Sequence, residues 1–276
     1  MHWQTTRFHI DLSRPRVMGI VNVTPDSFSD GGRHSTTASA LAHCERLVEE
    51  GADMLDIGGE STRPGATAPE PAEEVARVLP VIEAALHLGV PVSVDTSEPM
   101  VMRAALALGV DIVNDVRALR RPDALACVVE HRGVGVCLMH MRGEPATMQA
   151  QADYGDVVAE VGDFLVQRAA EVVAAGVAPE RIVLDPGIGF AKRPEHNLAL
   201  LRRQRELVAR LSHPLMVGWS RKGTLGLLTG RAATDRVAAS VAAALAAVHH
   251  GALVVRVHDV AATVDALKVW QAACGD

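Results

Sequence analysis

The acids Asp26, Asp30, Glu60, Asp95, Asp115, Asp185 and Asp259 recur along the sequence in short polar stretches that follow apolar ones. The bases Arg63, Arg142, Lys192, Arg221, Lys222 and Arg256, with His140 and His258, fall in the same stretches. Two groups among them suggest chemistry. Arg63, Arg256 and His258, joined by Ser61, Thr62 and glycine-rich backbone, suit an anion with several oxygens, because guanidinium forks and N–H groups share its charge. A diphosphate is such an anion. The competing reading is that each arginine pairs with a neighbouring Asp or Glu. Asp95, Asn114 and Asp185, with Lys222, form the second group. A carboxylate that accepts two donors, beside an amide that both donates and accepts, recognises a flat amidine-like heterocycle. Taken singly, each of these Asp and Asn residues could instead cap a following helix.

Metal chemistry is narrower. The sequence has no HxxxH, HxH or paired Cys/His spacing, so a zinc site is not expected. Magnesium keeps several waters and needs only one or two protein oxygens beside a phosphate, which Asn22 and Asp30 could provide. Gly187-Ile188-Gly189-Phe190 lacks the third glycine and the helix context of a dinucleotide fingerprint. His249-His250 ends a helical stretch, where it favours the helix dipole rather than catalysis.

These residues must be positioned by something, and the apolar stretches supply it. Short β-rich runs lie at 17–23, 53–57, 90–95, 111–114, 134–140, 181–185, 215–218 and 253–257. Alanine-rich amphipathic segments such as 71–88, 99–108, 157–175 and 236–249 separate them. Gly51, Gly89, Gly109, Gly176 and Gly251 sit where helices should stop. Alternating strands and helices imply parallel pairing with right-handed crossovers, and eight such units close a TIM barrel. An open doubly wound sheet is the alternative, but it would gather polar residues after one or two strands only. Here every C-terminal strand end carries polar groups, while the N-terminal ends are plain turns. That asymmetry predicts an α/β fold, a (β/α)8 barrel of one domain over 1–276, with its site on the C-terminal face. Residues 1–15 read as a lead-in, and 24–36 and 58–70 as mobile active-site loops.

Composition agrees. Hydrophobic residues make up 49% of the 276, enough for a sizeable core, yet aromatics only 3%, so the core must be built from Ala, Val and Leu. A net charge of −6 argues against nucleic acid as a partner. No stretch reads as a signal peptide or a membrane span. Cys44, Cys127, Cys137 and Cys274 suggest no disulfide framework, and the expected location is cytoplasmic.

The stretches MGIVNVTPDSFSDGG (18–32) and GADMLDIGGESTRPGA (51–66) resemble the two signatures of the dihydropteroate synthase family. VDTSEP (94–99), VNDV (113–116), LMHMRG (138–143), LDPGIGF (184–190), SRKG (220–223) and RVHDV (256–260) continue the resemblance in order along nearly the whole chain. It implies a folate-pathway transferase with a TIM barrel, Mg²⁺ as cofactor and a homodimeric assembly. The implied reaction joins the diphosphate of 6-hydroxymethyl-7,8-dihydropterin to 4-aminobenzoate, giving 7,8-dihydropteroate and diphosphate. Sulfonamides mimic the aminobenzoate in this family.

Carried over by motif position, Asp95, Asn114, Asp185 and Lys222 would hold the pterin, with Met139 and Phe190 against its ring. Thr62, Arg256 and His258 would bind diphosphate, with Asn22 also ligating the metal and Asp30 joining it when the first loop closes. Phe28, Thr62, Arg63, Pro64, Gly189 and Gly223 would line the aminobenzoate pocket. Asp30, Arg63, Asp185 and Lys222 would carry the catalysis. The departing diphosphate needs charge stabilisation, the dihydropterin can carry the cationic methylene left behind, and the arylamine needs no strong base. Closed loops would exclude water. Two positions depart from the family pattern: Gly223, where many members have Ser, and Ala191, where Gly is common. A pterin-binding paralogue without catalysis is one alternative; a methyltetrahydrofolate-binding barrel of corrinoid methyltransferases is another, although it has no use for a diphosphate cluster.

Overall fold

The alternation of strands and helices closes into a ring. The computed structural model describes residues 1–24, 33–61 and 68–274, with 33–36 described by backbone alone. A small antiparallel hairpin comes first, β1 (His2–Gln4) and β2 (His9–Asp11). The main sheet comprises β3 (Arg16–Asn22), β4 (Met54–Gly58), β5 (Val92–Asp95), β6 (Ile112–Asp115), β7 (Gly135–Met139), β8 (Ile182–Asp185), β9 (Met216–Val217) and β10 (Val254–Val257). Between and after them run α1 (Arg33–Glu49), α2 (Pro71–Ala85), α3 (Pro99–Ala107), α4 (Ala124–Glu130) and α5 (Val157–Ala174). The remaining helices are α6 (Pro194–Arg202), α7 (Gln204–Arg210), α8 (Gly223–Thr229), α9 (Val237–His249) and α10 (Val260–Cys274). The sheet strands are all parallel, in the order β8-β7-β6-β5-β4-β3-β10-β9. A parallel bridge between Leu184 and Leu215 joins the two ends of that row. The open-sheet alternative is therefore overturned, and the chain is a (β/α)8 barrel.

Every sheet strand lies within two residues of the boundaries read from the sequence. The five glycines taken as helix stops all adopt positive φ, from +78° at Gly89 to +110° at Gly176. Proline opens α2 and α3, where a missing N–H costs nothing. Strand residues alternate between two environments. On β4, Leu55 and Ile57 pack outward with the helices, while Met54 joins the barrel interior. Asp56 and Gly58 share the inward parity of Met54. Helix α1 begins at Arg33, so it takes up the end of the 24–36 stretch assigned to the first loop.

The lead-in assignment for 1–15 understates that segment. The hairpin β1–β2 stops the N-terminal end of the barrel. Trp3 is fully buried, and its indole N–H donates to the Arg181 carbonyl at 2.9 Å. Trp3, Ile10 and Leu12 pack with Met18, Met54, Ile112, Cys137, Val183, Met216 and Val254, one apolar layer across the barrel floor. With the floor sealed, access is from the other end. Among the described residues, no helix is long and apolar enough to cross a membrane. The four cysteines are free, three of them buried.

Candidate active site

Register sets rim residues of neighbouring strands side by side. Asn22 pairs with Gly58, Gly58 with Asp95, Asp95 with Asn114, and Met139 with Asp185. The barrel therefore carries two amides, two carboxylates and an apolar side chain around one mouth. Gly58 keeps the mouth open, because a Cβ there would stand 3.2 Å from the Cβ of Asp95.

Arg256, on β10, reaches across this mouth. Its Nε donates to Asp56 Oδ2 at 2.5 Å and its Nη2 to Asp95 Oδ2 at 2.6 Å. Asn114 Nδ2 donates to the same Asp56 oxygen at 2.9 Å. The arginine thus pairs with carboxylates, as the competing reading of the sequence allowed, but it does so inside the site. Burial, with the Asp56 charge, pushes the Asp95 carboxyl upward, and Arg256 pulls it back. Asp185 is also pushed upward by burial; the Gly187 N–H, donating to its Oδ1 at 2.7 Å, opposes this, as do Lys222 and Arg256. Lys222 is pushed down to about 8, chiefly by burial and then by Arg256, while Asp185 and Asp95 hold it up.

Lys222 lies over the Phe190 ring, with Nζ 4.3 Å from the centroid, a cation–π contact. Gly189, between them, has φ +83°, and a Cβ there would come within 3.3 Å of Lys222 Cδ. Met139 packs with Val116, Met141, Met148 and Ala191, and Phe190 lies against that cluster. Ala191 has φ +50°, which explains why glycine suits the position; alanine bears a cost of roughly 1–2 kcal/mol. Burial pushes His258 down to about 3, with Arg256 and Arg221 adding to it, so the ring is neutral at physiological pH. Its Nδ1 faces Ser220 Oγ at 3.0 Å. Phe28, Asp30, Thr62, Arg63 and Pro64 lie outside the described residues.

Several rim groups prove structural. Asp115 accepts from the Ser97 hydroxyl and from the backbone N–H groups of Arg117 and Leu119, a cap rather than a ligand. Arg221 forks onto Asp259 at 2.5 and 3.1 Å. Arg142 donates to Glu160 at 2.5 Å and covers the Tyr154 ring. Buried Arg117 holds Glu60, at the root of the second loop, through two contacts of 3.3 Å. Gly223 is exposed, with ordinary φ, and a Cβ there would meet nothing within 4 Å. Thr224 is buried, its hydroxyl accepting from Asn197 Nδ2 at 2.9 Å.

One residue, Asp56, escaped the sequence reading, as did the contact that Lys192, named there among the bases, makes with His140. Asp56 is fully buried at the centre of the polar network. Its signal was a lone charge at an inward position of an otherwise apolar strand. Lys192 is 3% exposed, and its Nζ lies 2.9 Å from His140 Nδ1 and donates to the Phe190 carbonyl at 3.0 Å. Burial, with Lys222 and Arg142, pushes Lys192 down to about 7, and burial with Lys192 pushes His140 down to about 2. This pair ties the strand-eight loop to strand seven and so fixes the backbone that carries Phe190.

Such a mouth can hold a flat, nitrogen-rich ring edge-on between carboxylates and an amide, with an anion beside the arginine. Comparison with known proteins points the same way. The family model "Pterin binding enzyme" matches residues 18–258. A dihydropteroate synthase of Neisseria meningitidis serogroup B is 56% identical over 275 residues, covering 98% of this chain and 96% of that protein. The solved structure of Xanthomonas albilineans dihydropteroate synthase with 4-aminobenzoic acid matches with a TM-score of 0.91 at 55% identity, covering 97% and 96% of the two chains. A structure of the Xanthomonas albilineans enzyme in complex with 7,8-dihydropteroate matches with a TM-score of 0.91 at 50% identity over 100% of each chain.

Proposed function

The chain belongs to the dihydropteroate synthase family of pterin-binding enzymes, and on that premise we propose how its own residues divide the work. The reaction joins (7,8-dihydropterin-6-yl)methyl diphosphate to 4-aminobenzoate, releasing diphosphate and 7,8-dihydropteroate in folate biosynthesis. Asp95, Asn114, Asp185 and Lys222 grip the edge of the pterin ring, with Met139 and Phe190 at its faces. One observation carries this assignment: the Asp95 and Asp185 carboxylates and the Asn114 amide stand at strand ends around one mouth, with the Lys222 amine close enough to feel both carboxylates, above a sealed floor.

Arg256 and His258 take the diphosphate, with Thr62. Arginine has five N–H donors, and among the described residues the bonds to Asp56 and Asp95 engage only Nε and Nη2, which leaves donors for the anion. As the C–O bond breaks, these donors stabilise charge on the leaving oxygen, and Asp95 and Asp185 favour the cationic methylene conjugated with the ring. The arylamine attacks that carbon from the side opposite diphosphate and then loses its extra proton to water. By motif position Phe28, Arg63 and Pro64, with Gly189, are assigned to the aminobenzoate, and Asp30 and Arg63 to the catalysis.

The metal reading rests on donor chemistry. Among the described residues no three His, Cys, Asp or Glu side chains group as a cage. Asn22 offers one hard oxygen at the end of β3, a set that fits Mg²⁺ sharing diphosphate oxygens and keeping its waters. When bound, Mg²⁺ would supply neutralisation of diphosphate charge, with Asn22 and Asp30 holding it. We also expect a cytoplasmic homodimer; the large apolar side chains left exposed, Leu227 and Leu228 on α8 and Val269 on α10, support apolar contact with a second copy.

The test is incubation with the pterin diphosphate, Mg²⁺ and 4-aminobenzoate, with product followed by chromatography. Formation of 7,8-dihydropteroate is expected. Tight pterin binding without product would instead establish the non-catalytic alternative.

A further inference from the structure

Asp56 stands one layer below the rim on β4, facing inward by the parity it shares with Met54. Its Oδ2 carries two bonds, from Asn114 Nδ2 at 2.9 Å and Arg256 Nε at 2.5 Å. Its Oδ1 is buried and has no hydrogen-bond partner among the described residues. Beside it, in register on β5, the Ser93 hydroxyl is likewise buried and without a partner among the described residues. Fully buried carboxylates are kept only where they are paired or used, because desolvation is costly.

An ionised carboxylate can only accept. The Asn114 amide must therefore turn its NH₂ towards Asp56, which leaves its carbonyl oxygen for whatever lies in the mouth. A flipped amide would set oxygen against oxygen. An asparagine at a strand end with no such neighbour could present either edge. The same Asp56 oxygen accepts from Arg256 Nε, so the guanidinium is held between Asp56 and Asp95.

We propose that Asp56 is a positioning residue for pterin recognition. It fixes Asn114 as an acceptor, and so makes the mouth select a heterocycle that presents an N–H at that edge, while it holds Arg256 at the rim for the anion. This assignment rests on the pterin reading given above. It predicts energetic coupling between two side chains of which only Asn114 need touch the ring.

The experiment is a double-mutant cycle on Asp56→Ala and Asn114→Ala, read as the dissociation constant of the pterin diphosphate by calorimetry. Each single variant should bind about 10- to 100-fold more weakly, the span expected for a hydrogen bond involving a charged group. The double variant should be no weaker than the poorer single one, because without Asp56 the Asn114 amide contributes little. The KM for 4-aminobenzoate at saturating pterin should stay within about twofold. Asp56→Asn, which keeps shape and one acceptor, should lose only several-fold; it replaces the alanine variant in the cycle if that variant does not fold. Additive losses, or unchanged pterin binding in a folded Asp56 variant, overturn the assignment. Wild-type protein that makes no 7,8-dihydropteroate would sink the functional reading instead, so the two failures are distinct.

Discussion

Glu74 offers a test of the packing beneath the second loop. It lies in the first turn of α2 at 3% exposure, under Gly59, where a Cβ would stand 3.0 Å from Glu74 Cγ. Its Oε1 accepts from the Thr96 hydroxyl at 2.7 Å. The cation nearest in effect, Arg121, is already paired with Glu98 at 2.6 Å. Burial therefore dominates and raises Glu74 from 4.5 to about 7, with Glu60 and Glu98 adding to it. Between those values the folded protein keeps a proton that the unfolded chain releases, so stability falls as pH rises from 4.5 to 7 and levels above it. The gap corresponds to about 3 kcal/mol. Glu74→Gln keeps the length and the acceptor for Thr96 but carries no charge to desolvate. It should stabilise the protein by about 3 kcal/mol at pH 8 and by almost nothing at pH 4.5. Urea unfolding at both pH values is the assay; with a slope of about 3 kcal/mol per molar, the midpoint at pH 8 should rise by about 1 M. An equal midpoint shift at both pH values, or none at pH 8, would refute the reasoning.

Two further outcomes are expected. Lys222, pushed down to about 8, must keep its proton to offset Asp185 and donate to the pterin, so kcat/KM for the pterin diphosphate should fall about tenfold per pH unit above that point, and a flat profile to pH 10 would rule this out. Gly223→Ser should fold with unchanged Tm, since the backbone is unstrained and a Cβ meets nothing within 4 Å; the added hydroxyl should lower the KM for 4-aminobenzoate several-fold, and a stable variant without that gain would show that the carboxylate is held elsewhere.

The barrel was legible because its periodicity is local. A run such as Val92–Asp95 between turn signals reads as a covered strand wherever its partners lie. Polar endings such as Asn114-Asp115 marked the functional face. What escaped was whatever depends on pairing across the ring. Asn114 and Asp115 are adjacent and both polar, yet one faces the mouth and the other caps its own loop, and only the register separates them. The Lys192–His140 contact spans 52 residues, and Arg256 meets Asp56 across 200. The hairpin was missed for the same reason, since its short strands have an apolar face whose partners lie at both ends of the sequence. Phe28, Asp30, Thr62, Arg63 and Pro64 were named by motif alone and lie outside the described residues.

The stopper at the barrel floor has a kinetic side. Trp3 bonds to a carbonyl 178 residues away and packs in one layer with Met18 and Val254. Such contacts close long loops, and the entropy of closing them is spent before any burial repays it. A half-wound ring offers this indole no seat, because the layer it completes draws on strands from β3 through β10. The hairpin therefore acts as a check on completion: until the first and last sheet strands have met, its apolar face has nowhere to go, and the segment that is simplest in sequence is the one whose place depends on all the others.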